Sequence, residues 1–403
     1  MTCLFIFIAS IGFWPFGGVK GGPPRKKTAL ELPRNPEEFR YIRICLGTGM
    51  SEVFIDTDSP YRLLDPTGQT IFKGNQMIKT SVRVLGFGVQ LGRRIYRDSP
   101  LTVESLDEGV RLNGRLYRHA LMFWAESDGT LTVANMISIE DYLKGVLPWE
   151  ANPKWSMEVL KAQAVASRTY ALFKAIENQE ERFDLSKDIL SQVYGGKTSE
   201  KRITNLAVDG TEGEILTYGG KIFPAYFHST CGGGTTLAEK IWDVEPHPVL
   251  QGVSCKFCHS SKHYRWQAEY STREIEDALR KHGVQASGIV EIKTLDLDDF
   301  GRAGAMAIKT GSGDYKIRAN DFRLWLGSTR LKSVLIDRIS REGGTFIFRA
   351  RGWGHGVGLC QYGAKTLSEL GYGYREILNY YYPGAQIKKY FSAWSDRDKG
   401  YNY

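Results

Sequence analysis

Four stretches of this sequence carry side chains that can do chemistry. Glu150 lies in GVLPWEANPKW, with Pro148, Trp149, Pro153 and Trp155 as neighbours. A carboxyl group against aromatic and apolar side chains has its pKa raised by desolvation. Such a group stays protonated near neutral pH and serves as a general acid, then as a base. The second stretch, AYFHSTCGGGTT, runs a strand into His228, Ser229 and three consecutive glycines, which let backbone approach a ligand closely. It is no phosphate-binding loop, because the spacing does not fit and no Lys follows. The third, RGWGHGVGLCQYGA, sets His355 between glycines with Trp353, Gln361 and Tyr362 close by. Aromatic faces pack on pyranose rings and amides bond hydroxyls, so this is a sugar-binding composition.

The fourth stretch is Cys255-x2-Cys258, followed by His259, with Cys231 and His228 earlier. A C-x2-C pair chelates zinc well, and Cys231 supplies a third thiolate, with His228 or His259 as the fourth ligand. An oxidising compartment would instead favour a disulfide, and free thiols are the third possibility. The six cysteines are too sparse for a disulfide scaffold. Neither G-x-S-x-G nor H-E-x-x-H is present, so nothing points to a serine hydrolase or a zincin.

Elements that would position these groups can be read from periodicity. Short apolar or alternating runs separated by Gly, Asp, Pro and Ser fill residues 40–135 and predict a small antiparallel barrel or sandwich. Ile139, Tyr142, Leu143, Val146 and Leu147 then share one face of a helix, which Pro148 should end near Leu147, leaving Glu150 in a turn. Ser156 is the N-cap of a second helix over Met157–Asn178. Its small residues, Ala162, Ala164, Ala166 and Ser167, predict close packing and burial. Strands return from Gly195, with short helices at Thr272–His282, 320–328 and Gln361–Leu370. The whole reads as α+β, mainly β-strands around a central helical block.

Bulk composition, with 42% hydrophobic and 24% charged residues, is that of a globular chain of 403 residues with a sizeable core. A formal charge of +8 is too diffuse to define a partner, and no basic–aromatic module of a nucleic-acid binder is visible. The apolar run Thr2–Phe16, followed by GGVKGGPPRKK, is short for a membrane span and matches the core of an export signal or a short anchor.

Together these stretches resemble the SpoIID family (sporulation stage II protein D, with the related amidase-enhancer proteins). The pieces that carry the likeness occur in family order: SIEDYLKGVLPWE with KAQAVASRTYA, then QVYGG, FHSTCGGGT with IWD, and finally RGWGHGVGLCQYGA. The resemblance implies a SpoIID-like catalytic domain over 131–390, preceded by a β-rich part over 37–130 and a signal or anchor segment with linker over 1–36. It implies a peptidoglycan lytic transglycosylase that cleaves the MurNAc–GlcNAc bond, with Glu150 at the family's catalytic glutamate. Gln163, Arg168, Tyr170, His228, Ser229, His355 and Gln361 match family positions and are assigned to substrate binding or site support. A zinc site occurs in some members, which supports a structural zinc on Cys231, Cys255 and Cys258. The implied partners are peptidoglycan glycan strands and a cell-wall amidase, and the implied location is extracytoplasmic, secreted or anchored at the envelope. A non-catalytic wall-binding amidase enhancer is the competing reading. The sequence departs from the family after the glutamate, where Ala151-Asn152-Pro153 stands in place of the common Met-Pro.

Overall fold

The structure, a computed structural model, describes residues 25–186, 192–311 and 313–390. The apolar run Thr2–Phe16 and Cys3 lie outside them. Among the described residues no helix is long and apolar enough to cross a membrane.

The α+β class holds, with many strands around a small set of helices. The β-rich part is two facing sheets. One has seven strands in the order Leu185–Ser186, Tyr41–Met50, Leu131–Ser138, Ala120–Ala125, Leu101–Ser105, Tyr61–Leu64 and Thr70–Gly74. The other has six: Arg115–Tyr117, Val110–Leu112, Glu52–Thr57, Met77–Leu85, Gly88–Leu91 and Arg94–Tyr96. Alternation along the strands sends Ile42, Ile44, Val53, Ile55, Val82, Val103, Leu121 and Val133 into the space between them, each nearly inaccessible. After the helices, residues 265–351 add two three-stranded antiparallel sheets, Arg265–Ser271 with 335–351 and Ile289–Leu295 with 305–318.

Two helices join these halves. Helix α1 (Ile139–Glu150) begins at Ser138, whose Oγ accepts from the Asp141 amide. It runs three residues further than Pro148 led us to expect. Pro148 sits in the last turn, where only one hydrogen bond is lost, and the Ala151 amide still reaches the Leu147 carbonyl. Glu150 is therefore the last helical residue and not part of a turn. Helix α2 (Met157–Glu177) starts at the expected N-cap, Ser156. A third helix, α3 (Arg202–Asp209), was not expected; it is short, and only Thr204, Ala207 and Val208 face inward.

From Ala162 to Phe173 every residue of helix α2 is buried, while Glu158, Lys161, Lys174 and Glu177 near its ends are partly exposed. Val159, Ala162, Val165 and Ala166 belong to the C-terminal core, while Leu160, Ala164, Ala171, Leu172 and Phe173 belong to the β-sandwich core. The small residues let both cores close on it. Arg168, on the same helix, is fully buried and forks onto Glu140 of α1 with two 2.8 Å bonds. Its other donors reach the carbonyls of Glu214 and of Val208 in α3. One guanidinium thus ties three helices and a strand.

Breaking this pair from one side strands a buried charge. Arg168→Met should cost about 3–5 kcal/mol in urea unfolding. Adding Glu140→Gln should recover part of the loss. A single variant within about 1 kcal/mol of wild type would show the pair to be dispensable.

Candidate active site

A cleft of about 840 Å³ runs between the helical block and the C-terminal sheets, and Glu150 lines it. The side chain is half-buried at the C-terminus of α1. Burial lifts its carboxyl to a pKa of about 7, against the opposing pull of one hydrogen bond, a 2.9 Å donation from the Val193 amide to Oε1. That amide comes from QVYGG, which can lie on α1 because residue 145 is glycine. A Cβ there would sit 2.6 Å from the Tyr194 ring.

Beside Glu150 is a run of rings: Tyr170 to Tyr226 at 5.9 Å, Tyr226 to Trp242 at 4.4 Å, Trp242 to His355 at 4.8 Å and His355 to His228 at 5.5 Å. Trp155 and Tyr362 meet edge-on at 5.3 Å on the same cleft. Exposed Trp149 and half-buried Trp353 complete an aromatic lining.

The two glycine-rich motifs are stitched together. Phe227–His228 pairs in parallel with Leu359–Cys360, and Thr230 exchanges backbone bonds with Trp353. Gly354 has φ +111°, and a Cβ there would lie 2.6 Å from the His228 Cβ, so only glycine allows the loops this close. Both histidines are neutral. Burial holds His228 at a pKa of about 3 and His355 well below its usual value. His355 Nε2 donates to the Phe227 carbonyl, while its Nδ1 accepts from the Val357 amide. His228 Nδ1 donates to the Val357 carbonyl, leaving its buried Nε2 a free acceptor.

The remaining expected residues fall into three places. Tyr170, His228, Ser229, His355 and Gln361 line the cleft with Glu150. Gln361 Nε2 donates to the Glu150 carbonyl at 2.9 Å and to Gln163 Oε1 at 3.3 Å, so Gln163 stands one step behind the wall. Arg168 lies away from the cleft, in the ion pair described above. Of the acids that could have joined Glu150, Asp243 lines the cleft but is exposed and paired with Arg25. Asp141 is held ionised elsewhere, by His119, Lys144 and Arg118 against the opposing effect of its burial, and Glu239 is also off the cleft. Glu150 is thus the one desolvated carboxyl among the described cleft residues. Trp242, Tyr226 and the Val193 amide were not singled out from the sequence. The rings stood in quoted motifs, whereas a backbone amide leaves no residue signature.

The cysteine cluster is separate from the cleft. Cys231, Cys255, Cys258 and Cys360 are all buried, with their sulfurs within 4.8 Å of one another. The fourth member is Cys360, not a histidine as expected. His228 turns its Nδ1 to the Val357 carbonyl, and His259 is exposed with its Nδ1 at the Lys256 carbonyl. Four sulfurs around one point suit a metal ion better than a single disulfide. Arg302 supports this fit. Its buried guanidinium donates to the Cys231 carbonyl, and its Nε and Nη1 have no partner. A cation in that position offsets the excess negative charge of four thiolates on a dication. These four residues could hold a metal.

Comparison with known proteins agrees with the motifs. The family described as Stage II sporulation protein (SpoIID) matches residues 127–218, and a domain of unknown function, DUF8618, matches 248–358. An uncharacterized protein of Brachyspira hyodysenteriae is 39% identical over 285 residues, covering 70% of this chain and 75% of that protein. Stage II sporulation protein D of Bacillus amyloliquefaciens is 33% identical over 269 residues, covering 63% of this chain and 75% of the relative. The amidase enhancer of Bacillus subtilis is 28% identical, and the match spans 40% of its length. With motifs, cleft and relatives in agreement, this chain belongs to the stage II sporulation protein D (SpoIID) family.

Proposed function

We propose that this protein is a cell-wall enzyme that cuts peptidoglycan glycan strands as a lytic transglycosylase, with Glu150 as its single acid and base. The supporting observation is one desolvated carboxyl, at about pKa 7, beside a row of aromatic rings. The protonated Glu150 donates to the MurNAc–GlcNAc glycosidic oxygen. The resulting carboxylate then takes the proton from the C6 hydroxyl of the same MurNAc as that oxygen closes on C1. An internal nucleophile explains why one carboxyl suffices, where ordinary glycosidases use two.

The rings carry the sugar faces, and the site histidines stay neutral. His228, Ser229 and Gln361 line the cleft beside the rings, with His228 Nε2 buried and unpartnered just beneath its surface. Tyr170 and His355 bind substrate from the ring wall, while Gln163 and Arg168 support the helices. In this reading residues 131–390 are the catalytic domain, residues 37–130 the β-rich part, and the chain works outside the cytoplasm. Cys231, Cys255, Cys258 and Cys360 hold a structural zinc that cross-links the glycine-rich loops. The relative named amidase enhancer motivates a second reading, a wall-binding protein that speeds a partner amidase without cutting glycan.

Muropeptide mass spectrometry separates the two. Wild type should release 1,6-anhydro-muramyl products, and Glu150→Gln should lower the rate by at least about 10². If wild type gives none while an amidase still accelerates, the enzyme reading fails. Activity should fall as pH rises above about 7, where the carboxyl loses its proton.

Stability carries the same signature. The folded pKa lies above the unfolded value, so the fold binds the proton more tightly, and stability drops as pH climbs towards 7. Glu150→Gln should therefore raise Tm relative to wild type at pH 8 and not at pH 4. Equal effects at both values would mean an ordinary carboxyl. For the metal, elemental analysis should find about one zinc per chain, and Cys360→Ser should lower both zinc content and Tm. Full zinc in Cys360→Ser would remove Cys360 from the site.

A further inference from the structure

The β-rich part carries a surface that the reaction does not use. Residues 66–97 contain Lys73, Lys79, Arg83, Arg93, Arg94 and Arg97 and not one Asp or Glu. All six cations are exposed, and none is ion-paired among the described residues. Lys73 lies on the edge strand of the seven-stranded sheet and the other five on or beside the six-stranded one, where Glu52 stands opposite Arg83 and Asp56, near Lys79, is paired with Arg111. The same stretch exposes Ile71, Phe72, Ile78, Leu85, Phe87 and Ile95.

The sharpest point is the hairpin tip between Met77–Leu85 and Gly88–Leu91. Gly86, at φ +63°, makes a two-residue turn that thrusts Phe87 into solvent, 97% exposed. Leu85 pairs with Gly88, and the bare Gly88 backbone faces Ile95, so Leu85, Phe87 and Ile95 share the tip. Arg83 and Arg97 flank it. Further along, Arg94 lies 5.4 Å from the Phe72 ring centre, and Lys79 lies 5.0 Å from that of Phe54.

We infer that this surface docks on an anionic phospholipid bilayer, with Phe87 and Leu85 entering the interface and the cations on the headgroups. Unpaired cations around exposed aliphatic and aromatic side chains are the pattern of an interfacial anchor. A polysaccharide would reward the cations but leave Leu85 and Ile95 unused. The segment Thr2–Phe16, read above as an export or anchor signal, gives a separate reason for a membrane to be near. Docking there would hold the cleft at the membrane face of the wall.

The test uses the full chain with Phe87→Cys carrying an environment-sensitive nitrobenzoxadiazole label, and Gly343→Cys at an exposed turn as control. With phosphatidylglycerol vesicles, label 87 should shift to the blue and brighten several-fold, while label 343 stays in water. Arg83→Ser with Arg97→Ser should weaken the response roughly thirtyfold in lipid concentration. No shift at 87, an equal shift on phosphatidylcholine, or a shift that appears only with peptidoglycan or a protein partner would overturn the inference.

Discussion

The rest of this structure depends on a helix whose middle, from Ala162 to Phe173, is wholly buried. Helix α2 is clamped between two hydrophobic cores, and its small residues set how closely they approach. Over that stretch the helix has no polar face turned to water to fix its rotation. Here Arg168 does that work, since its guanidinium must meet Glu140 and two carbonyls at once. Rotating or sliding α2 would pull a buried charge from its partner, which is costly enough to select one register. The register of α2 in turn fixes Gln163 and Tyr170, hence the wall against which Glu150 sits.

The chemistry depends on the opposite use of burial. Arg168 is buried against a carboxylate that meets it with two bonds. Glu150 is partly buried with only the Val193 amide to help, so its charge is disfavoured. Asp243 lies on the same cleft but is exposed and pairs with Arg25. The histidines are silent for a related reason. Each spends one ring nitrogen on a backbone carbonyl in a dry setting beside Arg302 and Arg323, where a second proton is penalised. Burial thus moves Glu150 towards neutrality and the two histidines away from it.

What could be read from the sequence follows how local each signal is. The start of α2 was legible because Ser156 caps it through one nearby amide. The α+β class was legible because alternation and helical spacing survive in single stretches. The end of α1 was misread, since the rule at Pro148 concerns the mean helix and a final turn escapes it. Helix α3 was missed because eight residues with three inward positions give too little periodicity. The fourth cysteine was missed for a different reason. Cys360 is more than 100 positions from Cys258, and only the pairing of Phe227–His228 with Leu359–Cys360 brings it to Cys231.

That pairing also explains why a cysteine cluster would matter to a site it does not touch. Cys360 points into the cluster, while its neighbour Gln361 points to the Glu150 carbonyl. On the other strand Cys231 follows Thr230 by one residue, and His228 and Ser229 face the cleft. Each of these two segments therefore serves the cluster and the cleft within a few residues of chain. The glycines that allow this closeness, Gly352 and Gly354, also leave the loops entropically expensive to order. A metal cross-link at the cysteines would offset that cost.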